Sequence, residues 1–267
     1  MLVVIRGAGD IATGIALRLF HARMDVAMTD IAHPTAIRRS VSFSRAVTEG
    51  QAVVEDVTAE LAKDGRSARF IMHCRRIAIL VDPDAACIRE LQPDAVVDAI
   101  LAKRNFGTSR AAAPVVIGVG PGFTAGEDCH AVVETQRGHT LGRVLLTGSA
   151  LPDTGAPGNI GGYTVERILR APRDGVFRQK KEIGALVAMG DTVGYVGDMP
   201  VTSQIAGVLR GILPDGTPVH AGMKSGDVDP RGKVEHCDTV SDKALAIGGG
   251  VLEAILRLTP LKAIGLR

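Results

Sequence analysis

Tryptophan is missing from this 267-residue chain, and two tyrosines and six phenylalanines supply all of its aromatic surface. Single-stranded nucleic acid is held largely by stacking bases on aromatic side chains, so that class of partner is not expected. An excess of one charge is missing too. The chain carries 31 Lys and Arg against 29 Asp and Glu, a formal net charge of +2. No basic field therefore points to nucleic acid. The four cysteines, Cys74, Cys87, Cys129 and Cys237, are widely spaced and never form a CxxC pair. Neither a disulfide framework nor a structural zinc site is expected, and no metal site is assigned. No apolar run approaches the ~18 residues that a membrane span needs. The opening Met1-Leu2-Val3-Val4-Ile5-Arg6 is too short for a signal-peptide core and runs straight into glycines. These absences predict a cytoplasmic protein with no membrane partner.

What is abundant is apolar residues, at 46%, and glycine, at 32 residues. The first allows a sizeable core and excludes global disorder. The second falls between short apolar runs, where tight turns and close backbone approaches are expected.

The first third alternates strand and helix. Leu2–Ile5, Val26–Thr29, Ile77–Val81, Ala95–Ala99 and Val115–Val119 read as strands. Apolar residues at 11, 15, 16, 19 and 20 predict a helix over Ile11–Arg23, and Ala68–Arg75 and Ala85–Leu91 are further helical candidates. That rhythm predicts a mostly parallel sheet covered by helices. Beyond residue 125 the pattern becomes strand after strand, as at Ala131–Glu134 and Arg143–Thr147, followed by a glycine-rich stretch at 154–162. Residues 171–230 repeat at an offset of 32: Gly175-Val176 matches Gly207-Val208, Val187 matches Val219, Gly190 matches Gly222, Gly194 matches Gly226 and Val196 matches Val228. The repeat predicts a small β structure with a pseudo-two-fold axis. A helix over Ser241–Leu258, with Ser241 as N-cap, ends the pattern. Gly248-Gly249-Gly250 inside it implies a break or a very close neighbour.

The segment Val3-Val4-Ile5-Arg6-Gly7-Ala8-Gly9-Asp10-Ile11-Ala12 reads as strand, GxGxxA, helix. Gly7 would make the tight turn, Gly9 would let a diphosphate approach the backbone, and Ala12 would let helix and strand pack closely. The amides of Gly7, Ala8, Gly9, Asp10 and Ile11, at the positive end of the helix, would hold the anion. Asp30 follows 21 residues after Gly9, at the end of the second strand. A carboxylate there would accept ribose hydroxyls and repel a 2′-phosphate, favouring NAD over NADP, while Arg38 and Arg39 could reverse that preference. The competing reading is a glycine turn that binds nothing.

Other residues carry weaker signals. Asp128, His130 and Glu134 would share one face of a strand and could form an acid–base or metal site, with His139 and Arg143 close by, or an ordinary solvated ion pair. The stretch Lys224–Arg231 could grip an anion or simply be a charged turn. Cys237 lies four residues before Ser241, where a helix N-terminus could activate its thiol; burial would make it inert. Cys74 and Cys87 fall in helical stripes and read as core. His130, Glu134 and Cys237 are the catalytic candidates, and none has a motif to recommend it.

Taken together, Arg6–Gly14, Thr29–Ile31, Pro34–Arg39, Gly120-Pro121-Gly122-Phe123, Glu134-Thr135 with Arg137-Gly138-His139, Leu141-Gly142-Arg143, Ser241–Ala244 and Ile247–Glu253 resemble the YqeB family, accessory proteins of selenium-dependent molybdenum hydroxylases. The resemblance covers essentially the whole chain. It implies a role in maturing a molybdenum hydroxylase, with a hydroxylase subunit or its molybdenum cofactor as partner, and it brings no reaction with it. The diphosphate ligand would be NAD or a molybdopterin dinucleotide. The repeat region also looks like the barrel-sandwich of biotinyl and lipoyl domains, but Gly197-Asp198-Met199-Pro200-Val201 lacks the lysine that such carriers modify. The expected architecture is thus an α/β protein: a Rossmann-like parallel-sheet nucleotide-binding domain over 1–150, a barrel-sandwich-like domain over 160–236, and a C-terminal helix in 237–267 packing back on the first domain. A homo-oligomer is compatible with this. An NAD-dependent oxidoreductase, with His130, His139 or Lys103 as acid–base group, is the alternative, and a binding module without catalysis is the third reading.

Overall fold

The computed structural model describes residues 1–260. They divide into two units: Met1–Pro34 with Ser42–Asp153 and the chain from Val240 onward, and Thr35–Val41 with Thr154–Thr239.

The first unit contains β1 (Leu2–Arg6), α1 (Asp10–His21), β2 (Asp25–Asp30), α2 (Ala46–Glu49), β3 (Gln51–Val54), β4 (Val57–Ala62), α3 (Gly65–His73), β5 (Ile77–Val81), α4 (Cys87–Leu91), β6 (Ala95–Asp98), β7 (Val115–Val119), β8 (Thr124–Ala125), β9 (Ala131–Val133), β10 (Val144–Leu145), β11 (Gly148–Ser149) and α5 (Asp242–Leu258). Among the described residues, nine strands form one sheet in the order β10-β9-β7-β6-β1-β2-β5-β4-β3. The strands from β4 to β9 in that order run parallel. Both edges are antiparallel, β3 against β4 and β10 against β9.

The near-continuous apolar strands suit a sheet buried on both faces. Val4, Ala27, Ala78, Val96, Val116 and Val132 form one core with Ala68, Ile71 and Met72 of α3 and Cys87 and Leu91 of α4. The alternate residues Val3, Ile5, Val26 and Met28 are fully buried as well. Helix α5 packs along α1 and against β7, β9 and β10. Ser241 caps it, its hydroxyl accepting from the Ala244 amide at 3.2 Å. The helix runs unbroken through Gly248-Gly249-Gly250, so the glycines serve close packing. A Cβ on Gly248 would lie 2.7 Å from the Gly14 carbonyl oxygen of α1, and one on Gly250 would overlap the Gly142 carbonyl oxygen.

The second unit is antiparallel. It contains β12 (Ile168–Arg170), β13 (Gly175–Gln179), β14 (Leu186–Val187), β15 (Thr192–Val196), β16 (Met199–Thr202), β17 (Gly207–Ile212), β18 (Pro218–Val219) and β19 (Lys224–Asp229). These make two four-stranded sheets, β12-β19-β17-β14 and β16-β15-β13-β18. The repeat governs the pairing: β13 of one copy pairs with β18 of the other, and β17 pairs with β14. Phe177, Val193, Val196, Leu209, Ile212 and Val228 share one core.

The expectation of a Rossmann-like parallel sheet joined to a barrel-sandwich is overturned. The large sheet is mixed and the remaining sheets are antiparallel. The reason lies in the connections. Strand β3 turns into β4 through two residues, Glu55-Asp56, with Glu55 at φ 53°, and so short a turn can only return the chain antiparallel. Strand β10 likewise returns beside β9 without a crossover helix. Of the expected division, 35–41 joins the antiparallel unit instead of the first, the helix after Val240 falls in the first unit as expected, and 261–267 lie outside the described residues.

Candidate functional site

The parallel strands end together. Arg6 closes β1, Asp30 closes β2 and Asp98 closes β6. Strand β1 has β2 on one side and β6 on the other, and such a reversal point opens a crevice beyond the carboxyl ends.

Gly7, Ala8 and Gly9 form the turn from β1 into α1. The Gly7 amide donates to the Thr29 carbonyl at 2.8 Å, and Gly7 has φ +98°. A Cβ there would sit 2.9 Å from the Ala99 carbonyl oxygen, so the exit of β6 demands this glycine. Ala8 is fully buried, and its carbonyl accepts from the Ser44 amide at 2.9 Å and from Thr13 Oγ1 at 3.3 Å. Gly9 differs from both. It is the N-cap of α1, with an ordinary φ of −69°, and a Cβ on it would meet nothing within 4 Å. No side chain caps this helix end. Asp10 stands in the first turn, while Ile11 is buried and offers only its amide to a ligand.

Asp30 reaches back to this turn. Its carboxylate accepts from the Ile31 amide at 2.8 Å and from the Ala8 amide. Burial pushes its pKa up, and the two amides offset only part of that. Arg38 and Arg39, which could have answered a 2′-phosphate, are engaged in the antiparallel unit. Arg38 donates to the carbonyls of His236 (3.0 Å) and Thr239 (3.1 Å), and Arg39 to Gln179 at 3.0 Å.

A buried network beside the turn escaped sequence reasoning. The Arg6 guanidinium pairs with Asp98 at 3.2 Å and donates to Thr108 Oγ1, which in turn donates to Asp98 at 2.6 Å. A charged residue closing an otherwise apolar strand was the available signal. The pair fixes the ends of β1 and β6 and the 105–108 loop around them.

The catalytic candidates do not assemble. His130 precedes β9 and Glu134 follows it, so the strand separates them. His130 Nδ1 accepts from the Val116 amide at 2.9 Å, and burial lowers its pKa. Glu134 is buried and accepts three amides, those of Thr135 and Gln136 at 2.7 Å and Leu151 at 2.8 Å, which makes it a loop clasp. Asp128 is a turn brace, accepting from the Thr124 amide at 2.8 Å. Cys237 is buried within the antiparallel unit, and burial raises its pKa, the opposite of activation. Burial likewise pushes Cys87 up to about 12 and Cys129 to about 11, while Cys74, expected in the core, is exposed. Lys103 is paired with Asp153 at 2.6 Å, and His139 is exposed. Among the described residues, no cluster of three His, Cys, Asp or Glu could hold a metal, and no helix is long and apolar enough to cross a membrane.

The Lys224–Arg231 stretch is mostly strand β19 rather than a turn. Its carboxylates are committed. Asp227 takes Arg167 at 3.0 Å and Arg210 at 2.5 Å, and Asp229 takes Arg231 at 2.6 Å and Arg210 at 3.4 Å. Burial opposes the Asp229 charge, yet the arginines hold its carboxyl well below the usual range.

No protein-family model matches the chain. Two solved structures overlay with low scores: an aspartoacylase family protein of Mesorhizobium loti (10% identity, TM-score 0.28) and a succinylglutamate desuccinylase/aspartoacylase of Rhodobacter sphaeroides (15%, TM-score 0.28). Each overlay covers 85% of this chain and 84% of the other. The chain spans about half the length of the curated relative it matches: 257 residues align at 51% identity with Escherichia coli (strain K12) YqeB, covering 96% of this chain and 48% of that protein. This likeness over nearly the whole chain supports its place in the YqeB family.

Proposed function

We propose that the turn Gly7–Ile11 holds the diphosphate of a dinucleotide, NAD or a molybdopterin dinucleotide, and that the chain acts as an accessory protein in maturing a selenium-dependent molybdenum hydroxylase. Gly9 carries the reading. Beyond the ordinary preference of a helix N-cap for glycine, the packing gives no reason for one there, since its φ is ordinary and a side chain would have room. A ligand pressed against the backbone supplies that reason, and the start of α1 offers it a positive dipole end, the amides of Gly7 and Ala8 being taken by Thr29 and Asp30. Asp30 stands ready for ribose hydroxyls. The maturation role rests on the family resemblance. Binding is favoured over NAD-dependent oxidoreduction because Lys103 is paired with Asp153, His130 is held by the Val116 amide and His139 sits in an exposed turn.

Calorimetric titration with NAD, NADP and a molybdopterin dinucleotide tests the reading. One of them should bind, and Gly9→Val should weaken it at least about tenfold while lowering the melting temperature only by the small cost of a poorer N-cap. If none binds, or if Gly9→Val leaves binding intact, the site is elsewhere. A hydride-transfer signal with NAD and a small substrate would favour the oxidoreductase.

A further inference from the structure

We propose that the outward face of α3 docks an acidic protein surface, which receives Phe70 in an apolar pocket. The helix turns Ala68, Ile71 and Met72 into the core. Arg66, Arg69, Phe70 and His73, spaced i, i+3, i+4 and i+7, form the opposite face and are all exposed. Phe70 is 69% exposed, whereas Phe43 and Phe177 are fully buried and Phe123 nearly so. Aromatic side chains are enriched at interface cores, and a rigid helix presents one at little ordering cost. Rigidity is built in. Asp64 and Ser67 form a reciprocal capping box, and the Gly65 amide donates to Glu90 at 3.2 Å.

On the face that carries Phe70 the charged side chains of the helix, Arg66 and Arg69, are cations. Residues 63–76 hold Lys63, Arg66, Arg69, Arg75 and Arg76 with His73, against the single carboxylate of Asp64. Asp64 caps the helix and Glu90 accepts from the Gly65 amide, so both carboxylates stand at its N-terminal end. Arg69 donates to the Leu91 carbonyl at 2.7 Å, Arg76 is paired with Glu60 at 2.6 Å, and Arg75 lies over the Phe20 ring with Asp25 at 3.9 Å. Lys63 and Arg66 make no ion pair among the described residues. A basic rim around one apolar anchor complements a patch of carboxylates around an apolar hollow. The helix has only nine residues in a chain of net charge +2, too short a basic track for a nucleic-acid backbone.

The test uses the intact chain and a fluorescein-labelled, glutamate-rich peptide with leucines at its centre, followed by anisotropy at low salt. The peptide should bind, and added salt should weaken it. Phe70→Ser and Arg66→Glu should each weaken it at least about tenfold, as should replacing the leucines by serine. Both positions are exposed, so circular dichroism should show an unchanged fold. Gly9→Val should leave the peptide's affinity unchanged. Equal affinity for the variants overturns the proposal. So does failure of the peptide to bind, whether or not a single-stranded oligonucleotide or phosphatidylglycerol vesicles bind in its place.

Discussion

The glycines that open α1 and those in the middle of α5 belong to the same unit, and each group holds glycines that pack and one that faces open space. In α5, Gly248 and Gly250 are where other backbone presses in, from Gly14 and from Gly142. Side chains there would force α1 and the 134–143 loop away, so the packing of the unit requires hydrogen at those positions. At the start of α1 the division runs through the motif itself. Gly7 is demanded by Ala99 and by a left-handed backbone, while Gly9 faces open space. A glycine that packs and a glycine that leaves room are indistinguishable as letters. They are told apart by what a Cβ would strike.

That contrast can be broken by substitution. Gly250→Ala should be the most damaging, costing about 3 kcal/mol in urea unfolding, because the obstructing atom is the Gly142 carbonyl and cannot rotate away. Gly248→Ala should cost about 1–2 kcal/mol, since one of its neighbours, Arg18, is a flexible side chain and alanine recovers helix propensity. Gly249→Ala, between them but exposed and without a neighbour, should instead stabilise by roughly 0.5–1 kcal/mol. A destabilised Gly249→Ala protein would contradict the contrast. Asp30→Asn sharpens the other side of the comparison. The folded state holds the Asp30 proton more tightly than the unfolded chain, so ionisation disfavours folding as pH rises above the ordinary carboxylate range. Asparagine removes that penalty. The variant should gain stability relative to the parent at neutral pH, and the gain should disappear in acid, below the ordinary Asp value. Thermal melts across pH read both.

Much of the first unit was legible in the sequence. Ile77–Val81 and Val115–Val119 are strands over the residues expected, the helix beginning after Gly9 runs Asp10–His21, and Ser241 is the N-cap of the last helix. These are local signals: uniform apolar runs, helical spacing, a capping hydroxyl. The hairpin of β3 and β4 was missed because Val53 and Glu60 interrupt no clear alternation and the two-residue turn Glu55-Asp56 lacks glycine. Overlooking it turned a mixed sheet into a parallel one. The repeat at an offset of 32 was visible, but the way its strands exchange partners between copies was not, since register is a long-range property. At the candidate site, Gly7, Gly9 and Asp30 were legible as a spaced motif. Arg6, Asp98 and Thr108 were not, because they come from strands and a loop about a hundred residues apart.

By itself the sequence determined where many of the helices and strands lie, through capping, periodicity and the backbone freedom of glycine, all of which act over a few residues. Only the tertiary structure decided that Glu134 would clasp a loop, that Cys237 would be buried, and that His130 would lie at the far end of a strand from Glu134. Those outcomes depend on which segments meet, and the chain sets that by burying apolar surface across long separations. No local spacing encodes it.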